Sequence, residues 1–205
     1  AVAAVMAGRA ASGGGDRTSV APVQPPAIDK AAAAARLAGA VRIQTISWDD
    51  KPDASGDAFL ELHDYLERTF PNAHRAMKRE KVGKFSLLYT WEGSDKSLKP
   101  AMLMGHQDVV PIAAGTEQNW QHAPFSGDVA DGFVWGRGAW DDKSSLVSYL
   151  EAVEMLAASG AQPKRTLIIA SGHDEEVGGL RGAREIAALL DSRGVKLEFV
   201  IDEGM

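Results

Sequence analysis

Four short stretches of this chain gather the side chains that hold metal ions and move protons. His106-Gln107-Asp108 follows the apolar run AMLMG, and Asp141-Asp142 follows FVWGRGAW. Asp174-Glu175-Glu176 follows TLIIASG and His173, and Asp202-Glu203 follows LEFVI. Side chains at i and i+2 lie on one side of an extended segment. His106 and Asp108 have that spacing, so a carboxylate can accept a hydrogen bond from one ring nitrogen while the other binds a metal. Adjacent carboxylates in a turn point in different directions, so one of Glu175 and Glu176 can ligate while the other takes a proton from water. Each stretch alone has an ordinary alternative. His106 and Asp108 fit an exposed loop pair, Asp141 or Asp142 fits the N-cap of the next helix, and Glu175-Glu176 fits an acidic helix start. All four follow strand-like runs, and ligand sites of open α/β sheets lie at the carboxyl ends of strands. Together they concentrate a negative charge that a cation would make tolerable.

The elements that would position them are legible as periodicity. AIDKAAAAARLAGAVRI and Asp53 to Phe70 read as amphipathic helices, the second stopped by Pro71. KFSLLYTW, AMLMGH, GFVWGRG, RTLIIAS and KLEFVID read as short strands. SLVSYLEAVEMLAASG and GLRGAREIAALLDSRG read as helices closed by Gly160 and Gly194. Strands alternating with helices predict an α/β sheet with helices on its faces. Residues 1–26 are rich in Gly, Ser, Ala and Pro and read as a disordered linker, or as the remnant of a signal or anchor begun by AVAAVMA. The folded part is expected over 27–205.

Composition narrows the chemistry. The 205 residues carry 22 Lys and Arg against 28 Asp and Glu, a formal net charge of −6, which argues against nucleic acid as a partner. With no cysteine, any metal must be held by His and carboxylates. Gly136-Arg137-Gly138 lacks the third glycine of a dinucleotide fingerprint, because Asp141 stands there, and Lys143 follows Asp142 rather than a phosphate-loop Gly. A nucleotide-binding domain is therefore disfavoured. His63 and His74 are expected on the surface, His122 in loop packing, and His173 behind the acidic cluster rather than as a ligand. Trp120, Phe125, Phe133, Trp135 and Trp140 are expected to wall the site.

HQDVVP, the W…PF…DGFVWGRGAWDDK block, GHDEEVGG and the DEG at 202–204 resemble the carboxypeptidase S/aminoacylase-type di-zinc metallopeptidases. Within these they resemble most the carboxypeptidase S and N-fatty-acyl-amino-acid hydrolase branch. The likeness runs from about Ala34 to Met205. It implies a three-layer α/β/α sandwich on a mixed, mostly parallel sheet. It assigns His106 and Asp202 to one zinc, Glu176 to a second, Asp141 to a bridge between them, Asp108 to orienting His106, and Glu175 to the general base. Cobalt or manganese suits the same ligands. The implied reaction is hydrolysis of an amide beside a free carboxylate, in a C-terminal peptide bond or an N-acyl amino acid. A non-catalytic domain that binds metal or a partner is the alternative.

Ser144 and Ser145 depart from the glycine that usually follows the DDK lysine of this family. The family also takes a last zinc ligand, a His, and a lid that makes it a homodimer from segments further along. The chain thus resembles the N-terminal part of a catalytic domain. On its own it is expected to be a weak or inactive hydrolase, to hold its second zinc loosely or not at all, and to expose an apolar sheet edge. The apolar start favours an extracytoplasmic or membrane-anchored location, with a cytoplasmic one as the alternative.

Overall fold

The computed structural model describes residues 27–203. The proposed linker or anchor at 1–26 lies outside the described residues. Among the described residues no helix is long and apolar enough to cross a membrane.

Three helices come first: α1 (Lys30–Arg42), α2 (Gly56–Thr69) and α3 (Pro71–Ala76). The Asp29 carboxylate caps α1 by accepting from the Ala32 N–H at 3.0 Å. Pro71 ends α2 as expected, but it also opens α3 at the first helical position, where its missing N–H costs nothing.

The five-stranded sheet runs in the order β1 (Lys78–Val82), β2 (Ser86–Trp91), β6 (Leu167–Ser171), β3 (Ala101–Met104), β7 (Phe199–Ile201). β1/β2 and β2/β6 pair antiparallel, and β6/β3 and β3/β7 pair parallel. The sheet is therefore mixed, and its parallel part is the part that leads to the acidic stretches. Two further helices, α4 (Lys143–Ala158) and α5 (Ala183–Ser192), complete the layers.

Strand alternation divides the core in two. Leu87, Tyr89, Trp91 and Ile169 face one side with Leu62, Leu66 and Phe70 before α3 and Leu146, Leu150 and Val153 of α4. Leu88, Met102, Ile168 and Ala170 face the other side with Ile186 and Leu190 of α5. This is an α/β/α sandwich in which β2 and β6 are covered on both faces, the reason their sequences read as continuous apolar runs. At the far edge, Phe199, Val200 and Ile201 of β7 are about half exposed (47%, 46% and 50%).

Three expectations need correcting. GFVWGRG is no strand of the main sheet. Phe133–Trp135 (β5) pairs only with Asp128–Ala130 (β4) in a separate two-stranded ribbon, closed by Asp131 at φ 54° and Gly132 at φ 83°. Positive φ at both central residues is the hairpin turn that Asp-Gly favours. Asp141 therefore arrives from the turn before α4 and not from a sheet strand. Second, β1 was not expected, because KREKV has no apolar alternation; a charged edge strand is what discourages further pairing.

Third, His63 and His74 are not surface groups. His63 is buried, and half-buried His74 donates from Nδ1 to the Phe70 carbonyl at 2.8 Å and accepts from the Tyr89 hydroxyl at 3.2 Å. Burial, foremost, holds His74 below the ordinary imidazole value of 6.5, with the Phe70 carbonyl, Glu67 and Glu154 opposing and Arg79 adding. The unfolded chain then takes up a proton near pH 6.5 before the native protein does, so this residue's stabilising contribution is lost as pH falls through that value. His74→Gln is accordingly expected to cost less stability at pH 5.5 than at pH 7.5, with urea unfolding at the two pH values as the measurement. An equal cost at both would refute the neutral, buried assignment.

Candidate metal centre

β3 runs into Gly105, where an added Cβ would lie 3.0 Å from the Leu146 N and 3.2 Å from Asp142 Oδ2. A glycine here lets the strand end pass close to the start of α4. The extended pairing continues past the strand through Gln107 N–H to the Gly172 carbonyl at 2.8 Å. That pairing fixes the backbone on both sides of His106.

The His106 ring is buried, and its two nitrogens have different surroundings. Nδ1 lies 2.9 Å from the Asp108 backbone carbonyl and 3.3 Å from Asp108 Oδ1. The peptide oxygen is the nearer acceptor, so it fixes the tautomer together with the carboxylate expected for that task. Nε2 faces Asp141 Oδ1 at 2.8 Å, Glu203 Oε1 at 3.3 Å and Glu175 Oε2 at 3.7 Å. With Nδ1 donating, Nε2 of the neutral ring is a lone pair aimed at acceptors.

Asp108 is fully buried, and its two oxygens accept from the Glu175 and Glu176 N–H groups at 3.1 Å each. One side chain thereby ties the β3 loop to the single 3₁₀ turn Glu175–Val177 that follows β6. Asp142 takes the capping role. It accepts from the Ser145 N–H at the start of α4 and, through Oδ2, from the His106 N–H, both at 3.3 Å. Asp141 is left free to face His106.

Among the described residues, two groups of ligand atoms lie within 4.8 Å of one another: His106, Asp141 and Glu176, and His106, Asp142 and Glu203. Asp202 lines the same cavity of about 460 Å³ as His106, Glu175 and Glu203, but its carboxylate joins neither group; Oδ1 accepts from the Glu203 N–H at 3.0 Å. Glu203 stands nearer to His106 than sequence reasoning allowed. His173 stands apart, its Nδ1 2.6 Å from the Ser86 hydroxyl and its ring edge-on to Phe59 and Phe85.

Charge at the site is out of balance. Burial of His106 would by itself lower its pKa, but Asp108, Glu203 and Asp141 reverse that and push it up to about 10. Burial, with His106 opposing and Asp142, Asp141 and Glu175 adding, pushes Glu203 up to about 7. Glu176 is raised by burial and then by Asp141, Asp108 and Glu175, with His106 opposing. The carboxylates around His106 thus favour a positive charge on the ring, while burial and crowding of like charges disfavour the charged forms of Glu203 and Glu176. The donor set of one imidazole and several carboxylates, all oxygen and nitrogen, fits a divalent metal of the zinc type.

Sequence reasoning missed the support beneath the ring. Buried His63 lies 2.8 Å from Gln107 Oε1 through Nε2, and Gln107 Nε2 donates to the Phe85 and Ser171 carbonyls at 3.0 and 2.8 Å. Gln107, which lies between His106 and Asp108 in sequence, is thus clamped by His63, Phe85 and Ser171. The only sequence signal was a histidine in the apolar stripe of an amphipathic helix.

Residues 102–205 match the sequence profile of Peptidase family M20/M25/M40. The chain is 47% identical over 178 residues to carboxypeptidase S of Saccharomyces cerevisiae, covering 82% of this chain and 31% of that protein. It is 45% identical over 170 residues to the N-fatty-acyl-amino acid synthase/hydrolase PM20D1 of Mus musculus, covering 82% of this chain and 33% of that protein. The chain thus spans about a third of the length of these relatives. In fold it resembles the M20 family metallo-carboxypeptidase Sso-CP2 from Sulfolobus solfataricus, with a TM-score of 0.66, 22% identity, and coverage of 87% of this chain and 38% of that one. The profile match over half of the sequence places the acidic cavity edge inside the matched region, and the chain belongs to peptidase family M20/M25/M40.

Proposed function

We propose that this chain carries the metal-binding part of a hydrolase that cleaves an amide bond beside a free carboxylate, in a C-terminal peptide or an N-acyl amino acid. The observation that carries this reading is the meeting of His106, Asp141 and Glu176 within 4.8 Å, with Glu175 Oε2 3.7 Å from the same imidazole. The names of the relatives, a carboxypeptidase and an acyl-amino acid hydrolase, supply the substrate class.

In this reading His106 would hold one zinc ion together with Asp202, which lines the same cavity, Glu176 would hold a second, and Asp141 would serve both. Cobalt or manganese would suit the same donors. When bound, the metal supplies Lewis acidity toward the scissile carbonyl and makes water a nucleophile near neutral pH. Asp141 and Glu176 neutralise and orient it. Glu175 accepts the proton of the attacking water and returns it to the leaving amine. Asp108, by holding the backbone of Glu175 and Glu176, keeps base and ligand in fixed relation.

The test is metal dependence combined with substrate choice. The full-length enzyme that contains this chain should hydrolyse an N-acyl amino acid, lose the activity on chelation and regain it with zinc. Amidating the substrate carboxylate should abolish turnover. Activity that survives in metal-free protein would overturn the metal reading, and equal turnover of the amidated substrate would overturn the carboxylate requirement.

A further inference from the structure

The segment from Ala40 to Ser47, which joins the end of α1 to the loop before α2, supplies no candidate ligand, yet it touches both ligand-bearing loops. On one side is Lys143, two residues past Asp141. Its side chain is fully buried, and Nζ donates to the Ala40 carbonyl at 2.9 Å and to the Ile43 carbonyl at the end of α1. Its own backbone N–H donates to the Gly138 carbonyl at 3.2 Å, closing the turn that carries Asp141. A lysine so placed adds a second donor to each of two helix-end carbonyls, which already accept from the Ile43 and Thr45 N–H groups.

On the other side is Thr45, also fully buried. Its hydroxyl donates to the Gln107 carbonyl at 2.6 Å. Its own carbonyl accepts from the Val109 N–H at 3.0 Å, and the Val109 carbonyl accepts from the Ser47 N–H at 3.1 Å. These bonds form a short parallel bridge between Ile46 and Val109. They fix the peptides on either side of Asp108, whose carbonyl sets the His106 ring.

We propose that Thr45 and Lys143 are positioning residues of the metal centre, acting through the segment 40–47, which ties the His106–Asp108 loop and the Asp141 turn to one another. Metal–ligand distances must be met within about 0.2 Å, so two ligands on separate loops need a common frame. The Ala40–Ser47 segment is that frame. Thr45 sets where the imidazole stands, and Lys143 sets where the Asp141 carboxylate meets it. The assignment rests on the metal centre proposed above.

The experiment is zinc affinity, measured by competition with a chelating indicator at a temperature where circular dichroism shows each metal-free protein folded. Thr45→Val keeps the shape and removes the hydroxyl, and it should weaken zinc binding about tenfold, the low end for groups behind metal ligands. Thr45→Ser keeps the hydroxyl and should restore affinity to within about threefold of the original chain. Lys143→Met should weaken zinc in the same direction. The double variant should lose less than the product of the single losses, because both act through one segment. If Lys143→Met does not fold, the Val and Ser variants of Thr45 decide alone. Thr45→Val binding zinc as tightly as the original chain, or Thr45→Ser binding as weakly as Thr45→Val, would overturn the assignment. An original chain that takes up no zinc would instead overturn the metal centre and this inference with it.

Discussion

In the full-length enzyme, Glu175→Gln is expected to keep its metal and to lose turnover by roughly 10²–10⁴-fold, the usual contribution of a positioned general base. The geometry separates Glu175 from its neighbour. Glu176 lies with His106 and Asp141 in a group whose ligand atoms are within 4.8 Å of one another, and Glu175 is not in that group. The Glu175 backbone is held by Asp108 Oδ1 at 3.1 Å, while its half-exposed side chain faces the cavity. Glutamine has the same shape and can still sit there, but it cannot accept the water proton. Zinc content and kcat on an N-acyl amino acid are the paired measurements. Retained zinc with unchanged kcat would move the base elsewhere. Lost zinc would make Glu175 a ligand.

The fold was legible where burial alone dictates sequence. SLLYTW and LIIAS are apolar on both faces because helices cover both, and the parallel pairing of β3 and β6 follows from the helix α4 between them. Helices α2 and α5 were legible from their stripes. What escaped was set by partners distant in sequence. Lys143 looks like a surface residue beside two aspartates until the Ala40 carbonyl, 103 positions earlier, is packed on it. His63 reads as a polar residue on a helix until Gln107, 44 positions on, meets it. Aromatic GFVWG has strand composition, and only the turn at Asp131-Gly132 says that it pairs locally and leaves the sheet.

The site divides in the same way. The stretches that carry His106, Asp141 and Glu176 could be listed from their positions after apolar runs, and the structure brings these three side chains together. Which of two adjacent carboxylates turns inward depends on backbone geometry. At 141–142 the second residue caps the helix and the first faces His106. At 202–203 the carboxylate nearer His106 is that of Glu203.

Asp108→Asn is expected to weaken zinc binding toward 100-fold, the upper end for a group that orients metal ligands. The reason is that Asp108 serves two loops at once. It accepts from two backbone N–H groups with two oxygens and lies 3.3 Å from His106 Nδ1. Asparagine has one oxygen. Its amide would present a donor to a donor, leaving the N–H of Glu175 or of Glu176 without its partner, a cost of about 1–3 kcal/mol for a buried group. The turn that carries Glu176 would shift to recover it. The substitution also removes the charge that raises the basicity of His106, although the Asp108 carbonyl still holds Nδ1 at 2.9 Å. The His106 orientation should therefore survive while the Glu176 placement fails. Zinc affinity should fall steeply in Asp108→Asn, and in the metal-free protein the amide resonances of 175–177 should move more than that of His106. Unchanged zinc affinity would show that the peptide carbonyl alone orients the ring and that the carboxylate serves only the fold.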